Sequence, residues 1–231
     1  MKNITLNAEV GGFVITTGQA TARVIANFAW QHLKAATIFR DRVIALENEH
    51  ANDEFGAFFE EIRSYASACF MSSAASLEAL INELFIAHNG ALRSQINNFE
   101  DGFWGRDGIE RKPILEKYKL ALQMLNSTPL DEHTSPFRDV WALLELRNAL
   151  VHYKPTWDPD RNRKVELIEV LNGRFSLSPF LEAGADFVSM KCMSAGCAKW
   201  TVNATITFMR EFHNRSNLES HKMEGFWKLE T

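Results

Sequence analysis

Three side chains in one short run could do chemistry together. Leu146-Arg147-Asn148-Ala149-Leu150-Val151-His152-Tyr153 carries a guanidinium, an amide and an imidazole within six positions, Arg147 to His152. A histidine offers both protonation states near neutral pH, so it can serve as base or acid. A guanidinium is a permanently charged planar fork that matches the oxygens of a phosphate. Cleavage of RNA asks for little more, because the 2′-OH is already in the substrate. A base removes its proton, a cation stabilises the charge on the phosphorane, and an acid helps the 5′-oxygen leave. His152 fits the first role and Arg147 the second, while Asn148 would orient His152 or bind phosphate. Tyr153 and Lys154 follow directly and count as supporting or substrate-binding positions.

The element that carries them reads as a helix from about 136 to 153. Val140, Leu143, Leu144, Leu150 and Val151 recur at helical spacing and Pro155 closes the run. At about 100° per residue, Asn148 and His152 share a face with Glu145 nearby, whereas Arg147 lies about 140° from His152. That direction is the middle of the apolar stripe. A core-facing guanidinium needs a carboxylate, a phosphate or water, because an unpaired buried charge is very costly. An earlier helix, from about 54 to 88, offers Glu78 and Asn82 four apart on one face. Either these are a solvated pair, or Glu78 pairs with Arg147 and Asn82 is a hydrogen-bond partner in the same cleft.

The stretch resembles the R-x4-6-H motif of the HEPN superfamily (higher eukaryotes and prokaryotes nucleotide-binding), down to the polar residue after the arginine. Ser76-Leu77-Glu78-Ala79-Leu80-Ile81-Asn82-Glu83 is similar to the earlier core helix of that superfamily. Arg215 to His221 also satisfies the spacing, but in a polar tail with no apolar pattern around it. The resemblance implies a single HEPN-like helical domain over 1–231 and a metal-independent endoribonuclease acting on single-stranded RNA, often in a toxin or antiviral setting. It assigns the motif's arginine and histidine to catalysis and joins two motifs across a homodimer, so that a second His152 could serve as the acid. The alternative it leaves open is a non-catalytic HEPN module that binds a nucleotide, an RNA or a protein partner such as an antitoxin. Some HEPN toxins carry a tyrosine two places after the histidine; here Tyr153 follows His152 directly, so regulation through that tyrosine does not carry over.

The rest of the chain narrows the choice. A formal charge of −4 over 231 residues gives no global attraction to nucleic acid, so any RNA site must be a local basic patch. No phosphate-binding glycine loop, no G-x-S-x-G elbow, no H-E-x-x-H and no paired Cys or His cluster is present, which points to a site without metal or organic cofactor. Cys69, Cys192 and Cys197 lack metal-ligand spacing and read as reduced cytoplasmic thiols used in packing. The most apolar run, Ala68 to Ala87, contains Glu78, Asn82 and Glu83, too polar for an ordinary membrane span.

The predicted fold is mainly α: an antiparallel bundle of about five helices with one or two small β-hairpins. Gly11-Gly12 between two weakly alternating runs suggests a hairpin over residues 3 to 17. A long helix from about 19 to 49 follows, apolar on more than half its girth, then the helix with Glu78. Residues 97 to 108 read as a glycine-rich loop whose Phe103, Trp104 and Arg106 either stack on bases or pin the loop to the core. A helix from about 109 to 125 precedes the motif helix. After the basic stretch Lys154 to Lys164, the apolar run ending at Asn172-Gly173 predicts a β-hairpin insertion over 164–178. A last helix runs from about 186 to 213.

Overall fold

The computed structural model describes residues 27–86, 92, 108–154, 165–182 and 184–218, and every regular element among them is helical. Helices α1 (Phe28–Glu49) and α2 (Phe58–Ile86) form a long antiparallel pair. The register is fixed along its length. At one end Glu83 of α2 accepts the Phe28 and Ala29 amides at 2.6 and 3.0 Å, and at the other the His50 ring stacks on Phe58 at 3.9 Å. Asn27 supplies no side-chain cap to α1, so a distant carboxylate does that work. Leu33, Ala36, Arg40, Val43 and Leu46 give α1 its buried stripe at helical spacing.

α2 is the centre of the bundle. It touches α1, α3 (Ile114–Met124), α4 (Phe137–Val151) and α6 (Ala195–Ser216). Its fully buried side chains run from Phe59 and Ile62 through Phe70 and Leu77 to Ile81 and Phe85. By length and composition α2 is apolar enough to cross a membrane; half of that stretch is buried within the bundle, as in a central core helix.

α6 begins where Ser194 accepts the Cys197 amide at 3.0 Å and where Glu47 of α1 accepts the Ala195 amide at 2.7 Å. The end of α1 thus meets the start of α6, and these two run antiparallel. Cys69 contacts the Ala198 carbonyl at 3.8 Å, while Tyr118 of α3, bonded to the Leu77 carbonyl, packs edge-on against Phe208 and Phe212. The positions 69 and 77 therefore advance with 198 and 208, so α2 and α6 run in the same direction. α1 is thus antiparallel to both α2 and α6, which are parallel to each other.

Two expectations are corrected. Val165–Leu171, placed in a hairpin over 164–178, is helix α5, and no strand occurs among the described residues. The run satisfies two periods at once. Its alternation suits a strand, but Leu167 and Leu171, four apart, both bury against the bundle, and that burial selects the helix. Asn172-Gly173 then ends a helix instead of turning a hairpin, with Gly173 at φ +76°. The last helix is also divided: a π-helical turn, Phe187–Lys191, precedes α6, because Ser194 takes the capping role inside the expected run. The hairpin over 3–17, the loop with Phe103, Trp104 and Arg106, and residues 155–164 lie outside the described residues.

Candidate functional site

α4 forms as its sequence requires. Val140, Leu143 and Leu146 are fully buried on one side, and the helix ends at His152, whose amide still bonds to the Asn148 carbonyl at 3.0 Å. The chain then leaves the helix, so His152, Tyr153 and Lys154 are all exposed. Asn148 is half-buried and its amide reaches Glu145 at 3.4 Å, a long contact.

Arg147 occupies the apolar side of α4 and is half-buried. Its Nε is sealed from solvent and has no hydrogen-bond partner, and no ion pair forms between Arg147 and any carboxylate among the described residues. The pairing of Glu78 with Arg147 is therefore corrected. Glu78 lies 3.8 Å from Lys117 of α3, and Asn82 accepts a hydrogen bond from the same ammonium at 2.9 Å. Only 1% of the Lys117 side chain is exposed. Burial pulls its pKa down from the usual lysine range, and the charges of Glu78 and Glu110 oppose that fall. Glu78 and Asn82 do share a site, as their spacing implies, but the cation in it is Lys117.

Lys117 is the residue that sequence reasoning passed over. It sits between Ile114, Leu115, Tyr118 and Ala121 on the inward side of α3, a cation in an apolar stripe. The signal that drew attention to Arg147 was present there too.

Trp141, Glu145, Asn148 and His152 follow one another at four- and three-residue steps, so they form one stripe along α4. A shallow depression of about 240 Å³ opens beside that stripe, lined by Trp141 and Glu145 with Val165, Glu166 and Leu167 of α5. Two of its lining residues are engaged by Arg138, whose guanidinium lies 4.0 Å from the centre of the Trp141 ring and pairs with Glu166 at 2.6 Å. Arg147 faces away from this depression, about 140° round from His152 by helix geometry.

Cys69 and Cys197 are unsuited to nucleophilic chemistry. Cys69, Cys192 and Cys197 are buried and free of disulfides, and burial pushes Cys69 up to about 12 and Cys197 well above the usual thiol range. Thiols so deprived of thiolate are poor nucleophiles. Among the described residues no group of three or more His, Cys, Asp or Glu side chains could hold a metal ion. Comparison with protein-family models, with curated proteins and with solved structures gives no match for this chain.

Proposed function

We propose that the chain is a HEPN-type helical protein that cleaves single-stranded RNA without a metal. One observation carries this reading. Arg147 is a half-buried cation with a sealed, unpartnered Nε and, among the described residues, no carboxylate to neutralise it, five residues before an exposed histidine at the end of the same helix. A purely structural arginine in an apolar stripe would be expected to own an acidic partner. A fork held without one is suited to an external anion, and the non-bridging oxygens of a phosphodiester match its geometry.

In the step this implies, His152 takes the proton from a 2′-OH and the 2′-oxygen bonds to the neighbouring phosphorus. The bond from phosphorus to the 5′-oxygen breaks, and that oxygen receives a proton from an acid on the opposite side. The products are a 2′,3′-cyclic phosphate and a 5′-OH. As the HEPN resemblance implies, the acid is assigned to His152 of a second copy. The exposed Val151, Tyr153 and Val165 around the helix end offer apolar surface for that pairing. Asn148 orients the site through the same stripe as His152, and Lys154 lies beside it for the phosphate backbone.

A second reading has its own observation. The divergence of Arg147 and His152, with Glu78 and Asn82 committed to Lys117, equally suits a non-catalytic module that holds a nucleotide, an RNA or a protein through Arg147 alone. Purified protein incubated with single-stranded RNA in EDTA separates the two. Cyclic phosphate ends that disappear in His152→Ala support the ribonuclease. Wild type and variant equally inert, with RNA still bound, would leave the module.

A further inference from the structure

On the far end of α4 from the motif, a second groove of about 370 Å³ runs between α6 and the segment after α5. Its α6 side presents Lys199, Asn203 and Thr207, all exposed and four residues apart, so their donors stand in one row. Trp200 and Phe175 line it as well, half-buried, with ring centroids 5.4 Å apart. Its one carboxylate, Asp139, is already taken by the Arg174 guanidinium and the Ser135 hydroxyl. The only acidic residue of α6 itself, Glu211, is paired with Arg215 at 2.6 Å. With Arg174 paired to Asp139, the lining keeps one cation outside an ion pair, Lys199, which also feels the Glu47 carboxylate of α1, beside neutral donors and a single, engaged carboxylate.

One wall of the groove is held close against α6. A Cβ at Gly196 would lie 2.3 Å from the Ser176 carbonyl oxygen, so the wall approaches the helix as closely as a glycine permits. Ser194 bonds to that same carbonyl at 2.8 Å. A preformed track loses little entropy when a ligand enters it.

We propose that this groove binds a single strand of RNA, with Lys199 and the row of donors on the phosphates and the Trp200–Phe175 pair against a base. Single-strand binding elsewhere in proteins combines these two elements, a positive track and aromatic faces, without base-specific contacts. The proposal rests on RNA being the substrate and adds a second surface to the cleavage site. Asp139 at the groove and Arg147 are eight residues apart on α4, about 12 Å along its axis. A strand of a few nucleotides bridges that distance, so one RNA could reach both.

The test uses the full chain and a fluorescent single-stranded RNA carrying 2′-O-methyl groups, which cannot be cleaved, so binding is read apart from catalysis. Lys199→Gln and Asn203→Glu should each weaken binding about tenfold, and Lys199→Gln should reduce the slope against salt by about one. Lys34→Gln, exposed on α1 and remote from both sites, should bind as wild type does. Groove variants that bind like wild type overturn the proposal even if the RNA is cleaved in EDTA. So does a polyglutamate peptide that displaces the RNA at lower concentration than unlabelled RNA does. Groove variants that bind weakly in a protein that cleaves no RNA support the groove and overturn only the ribonuclease reading.

Discussion

Replacing Arg147 with methionine should make the protein more stable and less active. The structure supplies the magnitude. The Nε of Arg147 is buried without a hydrogen-bond partner, and an unsatisfied buried donor costs about 1–3 kcal/mol. Methionine keeps an unbranched apolar stem against the same neighbours and carries no donor. The rest of the guanidinium is less deeply placed, since Arg147 as a whole is only half-buried, so the lower part of that range applies. A net gain of about 1 kcal/mol, divided by a urea dependence of about 2.5 kcal/mol/M, moves the unfolding midpoint up by about 0.4 M. Cleavage of single-stranded RNA in EDTA, measured on the same preparation, should fall to background. Arg147→Lys should recover only a small part of it, because a lysine lacks the fork. The reasoning fails if the midpoint of Arg147→Met drops by a comparable amount, which would make the arginine a structural tie. It fails equally if the variant cleaves as wild type does.

Three other perturbations follow from the same contacts. Burial raises the Glu47 carboxyl above its ordinary 4.5, outweighing the Ala195 amide and the Lys199 charge, so the folded chain keeps that proton to higher pH than the unfolded chain. Stability contributed by this group therefore falls as pH rises from about 4.5 through the folded pKa and is level beyond it; the difference between wild type and Glu47→Gln in urea midpoints from about pH 4 to 7 should show that fall, and a flat difference would contradict it. Gly196→Ala forces a Cβ to within 2.3 Å of the Ser176 carbonyl oxygen, which should cost about 1–3 kcal/mol and lower Tm by about 5 °C in a thermal scan. Lys117→Met leaves Glu78 without its cation and available to α4, so RNA cleavage should fall, and Glu78→Gln in the same chain should restore it.

The motif helix was legible because Val140, Leu143 and Leu146 repeat at the helical period and prolines stand near both ends. Arg147 was legible as a misfit in that pattern. Other features were hidden for physical reasons. The run Val165–Leu171 meets the requirements of strand and helix alike, and only the burial of Leu167 and Leu171 decides between them. Asn172-Gly173 misled because the positive φ that closes a hairpin also ends a helix. The first amides of α1 are met by Glu83, and that of Ala195 on α6, beside the local cap Ser194, by Glu47; these carboxylates lie 54 and 148 residues from Ala29 and Ala195 in sequence. No local pattern announces a cap at such a distance. The partner of Glu78 stays open between solvent and Arg147 in the sequence for a related reason: two cations stand on apolar faces, and periodicity alone cannot rank them.

Burial does rank them. The ammonium of Lys117 is almost wholly enclosed, whereas Arg147 is half-buried, so the energetic need for a carboxylate is greater at Lys117. An ammonium directs three donors away from one point, which lets it meet the Glu78 carboxylate and the Asn82 carbonyl oxygen together from one helix turn of α2. Once both are engaged, α2 offers Arg147 no acid at that level, and its fork keeps its capacity for an anion from outside. The open valence of the candidate site is thus a consequence of how α2 and α3 satisfy their own buried charge. Lys117→Met probes that dependence without touching α4.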